Sequence, residues 1–259
     1  MNETALEIKN IHFSYGSSPV LFDINCAIRK NRFVSLIGPN GSGKSTLLWL
    51  LCGIRKPQNG RILHNVDVSK MDILERAKRF AVITQKESNQ FPFTCLETVM
   101  LGLHPHRSRF SSVTASQMEQ VWNAMKIAGI QQFANRNIMH ISGGEFQRVI
   151  IARAIVQQPE ILFMDEAISS LDISEKIRIH KQLRSLMAET GMTVVSISHD
   201  IDTVSLSDDV MALKKGALAA FGPPDTVFTE SFFENVFNVK AEILPGKGFF
   251  IRDNIEYVI

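Results

Sequence analysis

Gly38-Pro39-Asn40-Gly41-Ser42-Gly43-Lys44-Ser45-Thr46 fits the phosphate-binding pattern G-x-x-x-x-G-K-[ST]. Before it stands Phe33-Val34-Ser35-Leu36-Ile37, a short apolar run of strand type. After it comes Leu47-Leu48-Trp49-Leu50-Leu51, an apolar helical run. A strand, a glycine-rich turn and a helix start, in that order, make a trap for phosphate. The glycines let successive backbone N–H groups point inward, and the helix N-terminus adds partial positive charge. Lys44 is placed to reach the β- and γ-phosphates, and the Ser45 hydroxyl to ligate Mg²⁺. The expected ligand is a nucleoside triphosphate.

The rest of the chain bounds what surrounds this loop. Its 259 residues allow one large α/β domain with a smaller appendage, and 45% hydrophobic with 21% charged residues is ordinary for a globular protein. A formal net charge of +2 gives no broad footprint for nucleic acid, so no nucleic-acid partner is expected. No uninterrupted apolar segment approaches the ~20 residues needed to span a bilayer. Residues 1–7 lack the basic flank and apolar core of a signal peptide. Cys26, Cys52 and Cys95 lie far apart without a C-x-x-C pair, and read as buried or free thiols in a reducing compartment. The expected setting is cytoplasmic.

Ahead of the loop, Leu6-Glu7-Ile8, Ile11-His12-Phe13, Val20-Leu21-Phe22 and Asn25-Cys26-Ala27-Ile28 read as short strands, with a turn over residues 15–19. Beyond it, Asn59-Gly60 reads as a turn into Arg61-Ile62-Leu63, and residues 80–84 as a strand ending at Gln85. Residues 86–140 change character. Phe91-Pro92-Phe93, Pro105 and a serine-rich patch over 108–116 interrupt helical patterns, notably at 117–130, which reads as a mostly helical insertion. Alternation then returns: a helix over 144–157 stopped by Pro159, a strand at 161–164, a helix over 174–189 capped by Gly191, a strand at 193–197, and a hairpin around Lys214-Lys215-Gly216. Strand and helix in alternation imply a parallel sheet covered by helices.

Two further stretches carry chemistry. Ile161-Leu162-Phe163-Met164-Asp165-Glu166 is an apolar strand ending in two carboxylates. Behind a phosphate loop the first holds Mg²⁺ and the second orients or deprotonates an attacking water, although strands end in acids for other reasons too. Ile141-Ser142-Gly143-Gly144-Glu145 begins a helix with a glycine pair. It reads as a capping box between Ser142 and Glu145 and, equally, as a second anion site. A cap does not account for the glycines, which cost helix stability and point to close approach of another backbone or a ligand.

The phosphate loop, Ser142-Gly143-Gly144-Glu145, Asp165-Glu166 and Ser198-His199-Asp200, in this order and with these gaps, resemble the nucleotide-binding subunit of ATP-binding cassette (ABC) transporters, over residues 6 to about 242. The resemblance implies an α/β phosphate-loop (RecA-like) nucleoside-triphosphatase core with an N-terminal antiparallel β subdomain and a helical signature subdomain. It divides a single domain of residues 1–259 into a core with its β subdomain over 1–85 and 145–225, a helical subdomain over 86–144 and a C-terminal extension over 226–259. It implies ATP and Mg²⁺ as cofactors and two copies paired head to tail around two ATP molecules. By the same resemblance Tyr15 matches the aromatic residue that stacks on adenine, the alternative being a turn tyrosine. Gln85 matches the glutamine that ligates Mg²⁺ and senses the membrane partner, and is counted with the catalytic residues. Ser142, Gly143, Gly144 and Glu145 match the signature that reaches the γ-phosphate on the opposite subunit. Asp165 matches the metal-associated aspartate, Glu166 the catalytic base, residues 169–172 with Asp172 the loop that signals across the dimer, and His199 the switch histidine. Two positions depart from the family pattern: Ala167 stands where proline usually follows the base, which relaxes the loop, and Ile141 replaces a leucine.

Val99-Met100-Leu101-Gly102, with Pro105-His106, and the stretch from Gly222-Pro223-Pro224-Asp225 to Val236-Phe237 are similar to importers of iron–siderophore, haem and cobalamin. Molybdate and tungstate importers share the architecture and stay open. The resemblance implies ATP hydrolysis coupled to import at the cytoplasmic face of the membrane, through permease subunits and, indirectly, an extracytoplasmic substrate-binding protein. A soluble ABC-type ATPase is the alternative class; only about a hundred residues separate Lys44 from Ser142, without sustained heptads, which disfavours the coiled-coil repair type. A catalytically dead binding module is disfavoured by Glu166 and His199 being present. His104 and His106 flank a proline and have no third partner in sight, so no metal site is read there.

Overall fold

The computed structural model describes residues 3–84, 91–108, 111–169, 171–244 and 248–252. Gln85 and Ser170 lie outside them. The chain opens with two strands, β1 (Thr4–Tyr15) and β2 (Ser18–Arg29), paired antiparallel across a tight turn at Gly16. The four short runs expected here are therefore two long strands. Asn10 and Asp23 take φ values of 50° and 49°, and the register shifts between Ile8 and Ile11. Such bulges break the alternation of side chains without ending the strand.

β3 (Phe33–Ile37) leads into the phosphate loop and α1 (Lys44–Leu51). β4 (Asn59–His64) and β5 (Val66–Asp67) return to the first sheet, whose order is β2-β1-β4-β5. Asn59-Gly60 is thus the start of a strand and not a turn. Gly60 has φ +87°, and a Cβ there would lie 2.3 Å from the carbonyl oxygens of Lys9 and Asn10. Glycine is required because one backbone presses on another, not because the chain reverses.

α2 (Ile73–Arg79) leads to β6 (Phe80–Ile83). A helical lobe follows, with α3 (Cys95–Met100) and α4 (Ala115–Ile127). α4 begins two residues before the expected helix, because Thr114 and Gln117 form a capping box, and it ends where Gly129 turns the chain at φ +65°. α5 (Gly143–Val156), β7 (Ile161–Asp165), α6 (Ile173–Thr190) and β8 (Thr193–Ile197) alternate as expected, α6 ending on Gly191 at φ 73°. A short α7 (Ile201–Val204) precedes the hairpin of β9 (Asp209–Lys214) and β10 (Ala217–Gly222). The chain continues through α8 (Pro224–Val227), α9 (Glu230–Phe237) and a hairpin of β11 (Lys240–Leu244) and β12 (Gly248–Arg252).

The central sheet has the order β10-β9-β3-β8-β7-β6, parallel except for the antiparallel edge strand β10. β3, β7 and β8 are buried along their whole length, which is why they read as continuous apolar runs. Along β7, Ile161 and Phe163 pack toward α1 and the β subdomain, whereas Leu162 and Met164 pack toward α3, α4, α5 and α6. A third apolar cluster joins Ile37, Val210 and Ala212 to Phe228, Phe232 and Phe233, so the C-terminal segment is fastened to the sheet. The parallel strands end at one edge. There the loops after β3, β7 and β8 converge, as expected for ligand sites in open α/β sheets.

Candidate functional site

The loop between β3 and α1 is held open by its glycines. Gly38, Gly41 and Gly43 have φ values of +145°, +75° and +100°. A Cβ on Gly38 would sit 2.2 Å from the Leu213 carbonyl oxygen, so this position admits no side chain. Helix α1 starts at Lys44 after Gly43, which offers no side-chain cap and leaves the first N–H groups of the helix for a ligand. The buried Ser42 hydroxyl has no hydrogen-bond partner among the described residues. An uncapped helix start and an orphaned hydroxyl inside one glycine nest fit a phosphate group.

Lys44 is buried, and its Nζ donates to the carbonyl oxygens of Gly38 at 2.8 Å and Pro39 at 3.0 Å. Burial lowers its pKa, against the pull of Glu166 and Asp165. The Ser45 hydroxyl donates to Asp165 Oδ1 at 3.3 Å across the loop. Burial raises the Asp165 pKa, with Glu166 adding to it and the Ser45 hydrogen bond and Lys44 opposing. A hydroxyl and a buried carboxylate in contact are hard oxygen donors, and this set fits Mg²⁺. At the end of β7, Glu166 takes φ 53°, a left-handed conformation uncommon outside glycine. His199 Nε2 lies 2.7 Å from Glu166 Oε1. One cavity of about 380 Å³ is lined by Asn40, Gly41, Gly43, Lys44, Ser45, Thr46, Glu166, His199 and, from β2, Val20. Tyr15 reaches its rim, with the hydroxyl 3.4 Å from Thr46 Oγ1.

Among the described residues, the remaining expected ones lie elsewhere. Ser142 caps α5: its hydroxyl accepts from the Glu145 N–H at 3.3 Å, while Glu145 Oε2 accepts from the Ser142 N–H at 2.8 Å. Ser142, Gly143, Gly144 and Glu145 do not line the loop cavity. Gly143 has an ordinary φ, and a Cβ there would meet nothing within 4 Å; one on Gly144 would meet only Leu171 Cδ2, at 3.3 Å. Asp172 caps α6 by accepting from the Glu175 N–H at 2.9 Å, which lowers its pKa. Leu171, within the expected loop at 169–172, packs under Gly144. One residue that the sequence reading passed over also touches this region: Arg55 packs on Tyr15 and has no motif to mark it.

The ABC transporter family profile matches residues 21–169. The chain is 32% identical over 240 residues to a cobalamin import ATP-binding protein of Halobacterium salinarum, covering 92% of this chain but only 60% of that relative's length. It is 32% identical over 241 residues to a petrobactin import ATP-binding protein of Bacillus subtilis, covering 92% of this chain and 94% of that protein. The dimeric structure of the bacterial ABC transporter cassette MJ0796 superposes with a TM-score of 0.75 at 30% identity, over 84% of this chain and 98% of that one. The α/β phosphate-loop core is common to both structures.

Proposed function

The chain belongs to the ABC transporter family, and on that premise we propose that it binds ATP with Mg²⁺ and hydrolyses it to power a membrane importer of a metal chelate. The observation that carries the reading is the single cavity that gathers Lys44, Ser45, Glu166 and His199 beside Asp165. Lys44 and the N-terminus of α1 bind the phosphates. Ser45 and Asp165 hold the metal, which when bound offsets the charge on the β- and γ-phosphates. Glu166 accepts the proton of the attacking water, and the His199 contact fixes its carboxylate. Gln85 completes the set by resemblance.

A second copy supplies the other half of each site. The glycine pair at the start of α5 supports this, since the chain's own packing makes no demand for glycine at position 143. Ser142 to Glu145 of one copy then close over the γ-phosphate held by the other, with residues 169–172 between them, and a monomer binds ATP but hydrolyses it poorly. Attachment is through permease subunits, as the family resemblance implies; among the described residues no helix is long and apolar enough to cross a membrane. The exposed Phe91, Phe93 and Leu101 around α3 supply an apolar surface for them. The names of the cobalamin and petrobactin relatives support a metal chelate as cargo.

The test is uptake by the chain co-assembled with its polytopic partner in vesicles, offered cobalamin, a ferric siderophore, haem and molybdate in turn. Uptake of a chelate that requires ATP and is abolished by Glu166→Gln is the expected result. Uptake of molybdate alone overturns the cargo, and rapid hydrolysis by a chain that captures no membrane partner moves the protein to the soluble class.

A further inference from the structure

Arg55 is an exposed cation that spends itself on two aromatic rings. Its guanidinium carbon lies 4.8 Å from the centre of the Tyr15 ring and 5.6 Å from that of Trp49. It forms no ion pair with a carboxylate among the described residues. Its backbone is fixed as well: α1 ends at Leu51, Gly53 turns the chain at φ +73°, and the Arg55 N–H donates to the Trp49 carbonyl oxygen at 3.0 Å. The side chain is therefore carried back over the end of β1.

Tyr15 is held on three sides. Phe13 meets its ring at 87° with centroids 5.0 Å apart, the hydroxyl approaches Thr46, and Arg55 covers a face. Even so, 39% of Tyr15 stays exposed. A tyrosine at the last position of a strand, next to a glycine turn, has few neighbours of its own to hold it. Here three contacts hold the ring at the rim of the phosphate cavity. A cation over an aromatic ring also draws on its π-density, which favours stacking of an electron-rich purine on the part that remains open.

We propose that Arg55 is a positioning residue for nucleotide binding: it fixes the Tyr15 ring as the platform on which the purine base stacks. The proposal rests on the reading of Tyr15 as the base platform. Arg55 does not contact the phosphates and takes no part in the chemistry. Its influence is confined to ligands that carry a base, which separates it from every residue of the glycine loop.

The experiment measures the affinity of the full chain for Mg-ATP and for Mg-tripolyphosphate by calorimetry. Tripolyphosphate keeps the phosphates and lacks the base. Arg55→Ala is expected to weaken ATP roughly two- to fivefold, the effect of one exposed cation–π contact, and to leave tripolyphosphate unchanged. Arg55→Lys, which keeps a cation over the ring, restores most of the loss, and in a Tyr15→Ala background Arg55→Ala has no further effect. If Tyr15→Ala weakens ATP but Arg55→Ala leaves it unchanged or tightens it, Arg55 is idle or competes with the base, and the proposal is wrong while the platform stands. If Arg55→Ala weakens tripolyphosphate equally, it acts through the loop and the proposal is again wrong. If Tyr15→Ala has no effect on ATP, the platform reading itself fails, and the role of Arg55 with it.

Discussion

Gly143→Ala separates what the fold needs from what the site needs. Position 143 is the first residue of α5, has an ordinary φ, and faces open space where its Cβ would go. Alanine there is free of strain and restricts the unfolded chain. The change should stabilise the protein by about 0.4–1 kcal/mol, which for a chain of this size raises Tm by roughly 1–4 °C. In the proposed dimer the same N–H must approach the γ-phosphate bound on the partner, and a methyl group stands in its way. Losing one hydrogen bond to a charged group costs about 1.5–3 kcal/mol, or roughly ten- to a hundredfold in hydrolysis. Thermal melting and steady-state ATPase rate on the same preparation check both halves. The expected outcome is a protein that melts slightly higher and turns over far more slowly, with ATP binding to the monomer unchanged. A lower Tm would mean that the fold demands this glycine; full activity would mean that nothing approaches it.

His180 makes acid stability a second prediction. It is buried against Phe33, with ring centres 4.5 Å apart, and its Nε2 has no partner among the described residues. Burial first, and Arg184 second, push its pKa down to about 4, with Asp208 opposing. Above its ordinary value it is neutral whether folded or not. Between that value and about 4 the unfolded chain takes a proton that the folded chain refuses, so stability falls as pH drops through this window and levels off below it. Between about pH 7.5 and pH 5 the loss is about 2 kcal/mol, and His180→Leu should remove most of that slope in urea titrations; an unchanged slope would place the titrating group elsewhere. Glu97 caps α3, its carboxylate accepting the Thr94 N–H and hydroxyl at 2.8 Å. Reversing its charge therefore damages the helix as well as the surface, whereas Glu97→Gln keeps a capping box. That variant should keep its Tm and its ATP affinity while uptake falls; unaltered uptake would take this charge out of permease docking.

The site was legible wherever chemistry demands a fixed spacing. Gly38 to Thr46 must form a nest at a helix start, and Asp165, Glu166 and His199 must lie at or just beyond the ends of buried strands, so the linear pattern carried their meeting in space. Buried parallel strands were legible for the same reason: β3, β7 and β8 meet apolar neighbours on both faces and read as unbroken runs. Alternation failed in β1 and β2, because bulges at Asn10 and Asp23 shift the face that each later residue presents. It failed at Gly60, because glycine there answers a neighbouring strand that lies far off in sequence. Arg55 and His180 were invisible because each acts through a contact made in space, with Tyr15 and with Phe33. The C-terminal α9 and its hairpin appeared only as an extension, since their apolar residues become a core only once Ile37, Val210 and Ala212 face them.

The account turns on two copies of the chain completing each other's sites. Sedimentation of the Glu166→Gln variant, with and without Mg-ATP, tests this most directly. The variant should hold ATP without turnover, so the mass should rise from 29.1 kDa to twice that value when ATP is added and fall back when ATP is removed. A Glu166→Gln chain that binds ATP and stays at the mass of one copy, beside a wild-type chain whose specific activity does not depend on its concentration, would contradict it.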